Sequence, residues 1–247
     1  LVLHKPPGWE VDDAVEEARG CSIVSFLAAL YPGRQWPLLR DVGFQFGLQH
    51  RLDVPSSGLL LVAKTYEAFF DLQLQLNLGV LVRDYVVLCH GWLSQARGII
   101  EARVRWGDVL PGRTQPERSS ISKFGKPAKT HIRLLAFSLL AIRISTGRRH
   151  QIRVHCAHVG NPIVCDGRYS AQQAVLTDQK WSPRNFLHRC RLEFQTRQGS
   201  TREVFEPLPA DLTTALAQLE PRPGESSELS SKMPGTCVLA LVCCCCC

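Results

Sequence analysis

The stretch "QHRLDVPSSGLLLVAK", residues 49–64, sets one carboxylate, Asp53, between a His-Arg-Leu and a Pro-Ser-Ser-Gly turn. Residues 59–63, a short unbroken apolar run bounded by that turn, predict a buried strand. An Asp in a turn is ordinarily a turn or cap residue. Arg51, two residues away, adds little by itself, because exposed Arg/Asp neighbours are common and weak.

Working outward, "LVLHKPPGW" at the amino end reads as a strand running into a Pro-Pro-Gly turn. Residues 12–31 predict a helix, opened by Asp12 and Asp13 and ended by Pro32. Residues 33–47, rich in Gly, Trp and Phe, read as a loop. Beyond the strand, Thr65 is a good N-cap, Glu67 suits the first turn, and Gly79 suits the left-handed closing position. Phe69, Leu72 and Leu76 recur between them at helical spacing. "VLVRDYVVLCHGWL" returns to strand-like sequence, and residues 107–130 read as a long surface loop. "THIRLLAF" and "LLAIRIST" predict two more strands, and residues 147–160 a helix between two glycines. "FLHRCRLEFQT" and "REVFEPL" read as final strands and "ADLTTALAQL" as a closing helix. Many strands follow one another without a helix between them. The expected class is therefore α+β, with a mixed or antiparallel central sheet and flanking helices. One domain is expected over residues 1–219.

The chain has 247 residues, 45% hydrophobic and 21% charged, the balance of a globular domain. Net charge is +7, which makes a polyanion a plausible partner and proves none. Of eleven cysteines, Cys21, Cys89, Cys156, Cys165 and Cys190 are scattered singly with no C-x-x-C pair, and the others are Cys237 and the terminal run 243–247, so neither a disulfide framework nor a zinc finger is expected. An intracellular, reducing compartment follows. The sequence opens at Leu1 without an initiator methionine. A fragment is expected, and cytoplasm, nucleus and organelle stay open. Residues 220–247 are read as a disordered Pro/Ser-rich stretch and a Cys-rich tail. The apolar residues 237–247 fall short of the ~20 needed to span a bilayer, and no membrane association is expected.

A second cluster, "STGRRHQIRVHCAHVGNPIVCDGRY", occupies residues 145–169. Arg148 and Arg149 stand at the expected helix entrance, where free N–H groups already favour an anion. Ile152, Cys156 and Val159 form an apolar stripe. Arg149 and Arg153, four apart, share another face, one turn from His150. Such a helix suits a phosphate, a carboxylate or one of each, and a solvated basic face is the plain alternative. His150, His155 and His158 raise a metal reading. Only His155 and His158 could share a face, with no Cys pair or acid triad to complete a set, so no metal is expected.

Together the two clusters, in this order, resemble the RluA family of pseudouridine synthases. "HKPPGW", "RDYVVLCHGW" and "FLHRCRLEF…FEPLPADL" extend the resemblance over residues 1 to about 215. It implies that Asp53 is the catalytic aspartate of H-R-L-D and that Tyr85 is the active-site tyrosine that stacks on the target base. It implies that Arg153 pairs with the aspartate and that Arg51 enters the RNA and holds the nucleotide flipped out. Arg148, Arg149, His150 and Ile152 are the further candidates for substrate contact. The family usually has Thr at Ser56, Lys at Arg83, Thr at Arg149 and Gly at Cys165; none of these departures removes a catalytic group. The RNA-binding domain that often precedes this fold is not visible in the sequence.

The implied reaction breaks the C1′–N1 bond of a uridine in rRNA or tRNA, turns the uracil and joins C5 to C1′. Nothing is oxidised, reduced or hydrolysed, so no cofactor is expected. Retaining glycosidases need a second carboxyl as general acid; uracil departs as a stabilised anion, so the lone Asp53 suffices. Whether it attacks C1′ or removes the 2′ proton stays open. A monomer is expected. A catalytically silent RNA-binding module and a histidine-dependent hydrolase or nuclease are the competing readings.

Overall fold

The computed structural model describes residues 1–11, 21–93, 97–107, 118–136 and 138–219. In chain order they form β1 (Val2–Lys5), α1 (Ile23–Leu30), 3₁₀ turns at Pro37–Arg40 and Val42–Gly47, β2 (Ser57–Leu61), α2 (Tyr66–Leu78) and β3 (Val82–Leu88). There follow β4 (Arg97–Glu101), β5 (Val104–Trp106), β6 (Ser119–Ile121), β7 (Lys129–Ala136), β8 (Leu139–Ile144) and α3 (Gln151–His158). The last elements are α4 (Gln172–Asp178), β9 (Leu187–Gln195), β10 (Thr201–Phe205) and α5 (Ala210–Ala217). The class is α+β. Two compact units divide the chain, and each is discontinuous in sequence.

The first unit comprises Leu1–Arg83, Ser145–Gly147 and His188–Glu206. Its sheet is mixed: β1 runs antiparallel to β2, β2 parallel to β9, and β9 antiparallel to β10. β2 is buried along its whole length, which is why Leu59, Leu60 and Leu61 follow one another without alternation. Leu59, Leu61 and Ala63 pack with Phe69 and Leu72 of α2, and with Leu38, Leu81 and Leu192. α2 begins where Thr65 Oγ1 accepts the Ala68 N–H at 3.3 Å and ends at Gly79, whose φ is 72°. That left-handed conformation is the reason a glycine stands there.

The second unit comprises Asp84–Ile144, Arg148–Leu187 and the residues from Pro207 onward. β3 pairs with β8, β8 with β7 and β7 with β4, all antiparallel. β5 and β6 make a separate two-stranded ribbon. Val104 of β5, Ala128 and Val154 of α3 form a small core, with Ile121 and Tyr169 packed against it.

Several expectations change. The first helix starts at Ile23, because Ser22 is extended and caps it by accepting the Ser25 N–H at 3.3 Å; the expected start at Asp12 and Asp13 lies outside the described residues. The 33–47 loop contains two 3₁₀ turns. The expected strand at residues 59–63 is displaced two residues toward the amino end, since Val62 already belongs to an isolated bridge with Leu48. The 107–130 loop holds β6, and β4, β5 and α4 were not expected. The 147–160 helix begins only at Gln151, because His150 has φ 55°, outside helical space. Arg149 therefore precedes the helix and shares no helical face with Arg153. Val159, expected in the apolar stripe, is 42% exposed, whereas Ile152 and Cys156 are buried. The tail at residues 220–247 lies outside the described residues.

Candidate active site

Asp53 belongs to the first unit, on the turn that feeds β2. Its carbonyl accepts the Ser56 N–H at 3.0 Å, and the residue is half-buried while Arg51 is exposed. Two buried cations grip the main chain on either side. Lys5, 0% exposed at the end of β1, donates to the carbonyls of Pro6 and Trp9 at 2.9 Å each and of Val54 at 3.2 Å. Gly8 N–H also reaches the Val54 carbonyl, at 2.8 Å. The Pro-Pro-Gly turn is thereby fastened to the residue after Asp53.

From β9, the buried Arg189 donates to the carbonyl of Leu59 at 3.0 Å and of Arg51 at 3.3 Å. It also donates to His50 Nδ1. A guanidinium can only donate, so the imidazole accepts and is neutral. Loss of hydration, then the Arg189 and Arg83 charges, push His50 well below its ordinary value. Gly58 makes this closeness achievable. It has φ 120°, and a Cβ there would stand 2.2 Å from the Arg189 carbonyl oxygen. Ser57 Oγ and His188 Nδ1, 2.9 Å apart, fasten the same strand start to β9. Desolvated cations with satisfied donors make this a rigid, electropositive seat for one carboxylate.

The other sequence candidates lie in the second unit. Tyr85 stands in β3 opposite Ile142 and is 3% exposed. Its neighbour Asp84 pairs with Arg143 across the strands, both contacts at 2.7 Å. Arg153, buried in α3, takes Asp166 as a bidentate partner, Nε to Oδ2 at 2.7 Å and Nη2 to Oδ1 at 2.6 Å. Asp166, 0% exposed, is further aligned by the Arg168 N–H at 3.0 Å. The sequence reading missed Asp166, and the signal was the "CDGRY" at the end of the second cluster.

Arg149 and His150 are brought together by residues the sequence reading did not single out. The Arg149 guanidinium lies 3.9 Å from the centre of the Trp106 ring. His150 meets Trp106 edge-on at 5.4 Å and holds the Tyr169 hydroxyl at 2.9 Å from Nδ1. Tyr169 in turn accepts the Ser119 N–H at 2.8 Å, and burial raises its pKa. Arg148 is held by its Nε on the Pro127 carbonyl at 3.0 Å. Ile152 is buried. The entrance to α3 is thus a braced aromatic and basic cluster, not a solvated face.

The histidines do not converge. His155 Nδ1 meets Thr130 Oγ1 at 2.9 Å and its Nε2 meets the Ala102 carbonyl at 3.0 Å, while His158 is exposed. Among the described residues no three His, Cys, Asp or Glu side chains are grouped to hold a metal ion. No helix of the described residues is long and apolar enough to cross a membrane.

A family model described as RNA pseudouridylate synthase matches residues 1–158, which include Asp53, Tyr85 and Arg153. An uncharacterized RNA pseudouridine synthase of Chloroflexus aurantiacus is 36% identical over 226 residues, 89% of this chain and 66% of that protein. Ribosomal large subunit pseudouridine synthase D of Nitrosomonas europaea is 36% identical over 234 residues, 92% of this chain and 64% of that one. Synthase C of Haemophilus ducreyi is 33% identical, with 89% and 66% covered. The chain spans about two thirds of the length of these relatives. Among solved structures, human RNA pseudouridylate synthase domain containing 4 aligns with TM-score 0.63 at 19% identity, covering 87% of this chain and 88% of that one. Its domain containing 1 counterpart aligns at 0.55 and 23%, covering 84% and 80%; both likenesses concern the fold. On the family model and the relatives above 30% identity, the chain belongs to the RNA pseudouridylate synthase family.

Proposed function

We propose that this chain isomerises uridine to pseudouridine in RNA, with Asp53 acting on the sugar. The observation that carries the reading is the seat of Asp53. A carboxylate on a turn gripped from both sides by the buried Lys5 and Arg189 is held more rigidly than a turn aspartate needs. Two relatives are named for the ribosomal large subunit, so rRNA is the substrate to test first and tRNA the second.

C1′ is inaccessible inside a stacked helix, so the target nucleotide must be everted. Arg51, exposed beside Asp53, is suited to enter the space it leaves. Asp53 then either bonds to C1′ or removes the 2′ proton. In both routes the C1′–N1 pair departs with uracil, which turns and bonds through C5 to C1′; this expels the Asp53 carboxylate from C1′ in the first route, and Asp53 returns the proton to C2′ in the second. Loss of the C5 proton and gain of one at N1 complete an isomerisation in which no atom is added or removed. Tyr85 offers the ring on which the base stacks, worth ~1–3 kcal/mol, and its hydroxyl is the candidate for the C5 proton. Arg153 is assigned to keep Asp53 ionised. Arg148, Arg149, His150 and Ile152 are assigned to the RNA strand near the target. The reaction needs no cofactor, and the reading places the chain as a monomer inside the cell.

Incubation of purified protein with rRNA and tRNA transcripts, followed by mapping of pseudouridine, tests this. Wild type forms product; Asp53→Asn keeps its melting temperature and RNA affinity and forms none. Product from Asp53→Asn at the wild-type rate would sink the assignment. Wild type that binds RNA yet converts no transcript would leave a silent binding module.

A further inference from the structure

The turn at residues 122–126, which follows β6, is built to present one side chain. Ser122 N–H donates to the Arg103 carbonyl at 3.0 Å and Gly125 N–H to the Ser122 carbonyl at 2.8 Å. Phe124 N–H reaches Ser122 Oγ at 3.3 Å, and Arg103 Nε closes on the Gly125 carbonyl at 2.7 Å. Lys126 exchanges two backbone hydrogen bonds with Val104, both 2.9 Å. Gly125 is buried, and a Cβ there would lie 2.5 Å from the Val104 carbonyl carbon. The turn is therefore seated hard on β5. Phe124, at its tip, is nevertheless 75% exposed, more than any other large apolar side chain of the described residues.

A single exposed apolar residue is ordinary on a protein surface. What sets Phe124 apart is a rigid frame that holds the ring in water, and the charge around it. Lys123 Nζ lies 5.1 Å from the ring centre, and Arg103, Arg118, Lys123 and Lys126 are all exposed. From residue 97 to residue 136 nine Lys and Arg stand against three acids, Glu101, Asp108 and Glu117, and Lys129 holds Glu101 at 2.6 Å. A fixed aromatic face within a positive field is the combination that binds single-stranded nucleic acid, phosphates on the cations and a base on the ring.

We propose that the 122–126 turn is an accessory RNA-binding surface, where Phe124 stacks an unpaired base and Arg118, Lys123 and Lys126 engage the flanking phosphates. This rests on the reading that RNA is the substrate. The turn lies outside the residues assigned to the chemistry, so its removal weakens binding and leaves turnover of saturated enzyme unchanged.

The test is fluorescence anisotropy with a labelled uridine-containing RNA stem-loop, titrated at several salt concentrations, with heparin as a base-free polyanion. Phe124→Ala weakens RNA binding about fivefold or more, leaves heparin binding unchanged, and Phe124→Trp restores RNA affinity. Lys123→Gln combined with Lys126→Gln lowers the slope of log Kd against log salt by about 1.4. An unchanged RNA affinity in Phe124→Ala, or an equal loss on heparin, overturns the stacking surface. Pseudouridine mapping on the same RNA reports separately. Absence of product from wild type on this RNA and on the rRNA and tRNA transcripts alike refutes the isomerase reading, whereas loss-free binding by Phe124→Ala refutes this surface.

Discussion

Cys165 has φ 58°, the left-handed region where a side chain costs roughly 1–2 kcal/mol and glycine costs none. The sequence marks this position as a departure, Cys where the family usually has Gly, that removes no catalytic group. The backbone supplies a different reason: the Cys165 N–H is drawn onto Asp178 Oδ2 at 2.7 Å, which imposes the conformation whatever the side chain. Cys165→Gly is expected to raise the unfolding free energy by about 1 kcal/mol, read by urea denaturation; a loss of stability would show that the thiol's packing matters more than the strain. The next residue works in the opposite sense. Asp166→Ala leaves the buried Arg153 without its bidentate partner and is expected to cost about 3–5 kcal/mol. A cost under about 1 kcal/mol would mean that another group takes the guanidinium over. Asp166 was legible only as a letter in "CDGRY", because its role depends on a helix thirteen residues earlier turning to meet it.

At the scale of elements, periodicity and caps carried α2 almost residue for residue, since Thr65, Phe69, Leu72 and Gly79 all act within one helix. α3 was harder. Its basic letters suggested an exposed face, yet Gln151 to Cys156 are buried all round, because Trp106 and Tyr169 come to its entrance from distant stretches. The ribbon of β5 and β6 was invisible for the same reason: three-residue strands have no readable period, and their pairing spans a polar stretch. β2 and β9 show what long-range pairing demands. Their parallel register sets Gly58 against Arg189, with φ 120° and no space for a methyl group. Gly58→Ala combines a disfavoured backbone with a clash against main chain and is expected to destabilise by about 3 kcal/mol or more. Because β2 carries the Asp53 turn, pseudouridine formation should fall with it. A denaturation midpoint within error of wild type would show that the two strands tolerate separation.

For the molecule as a whole, the α+β class could be read from strand succession, but not its partition into two units that each gather segments from far apart in the chain. The polar groups buried by that gathering have consequences for stability against pH. His50 is forced to stay neutral because it has lost hydration and faces the Arg189 and Arg83 charges, and its folded pKa lies well below 6.5. In the unfolded chain it titrates normally, near 6.5. Above that pH neither state binds the proton and stability is complete. As pH falls below 6.5 the unfolded state takes up a proton that the folded state refuses, so unfolding is favoured, at no more than about 1.4 kcal/mol per pH unit for one histidine. The loss continues until the folded pKa is reached. Urea denaturation at pH 7.5 and 5.5 measures it. His50→Gln lowers stability at pH 7.5, because Arg189 loses an acceptor ring, yet has the shallower decline between the two values. His155, also held below its ordinary value by burial, contributes equally to both proteins and cancels from the comparison. Equal declines in wild type and His50→Gln would mean that the histidine beside the Asp53 turn is not held neutral by the two guanidinium groups.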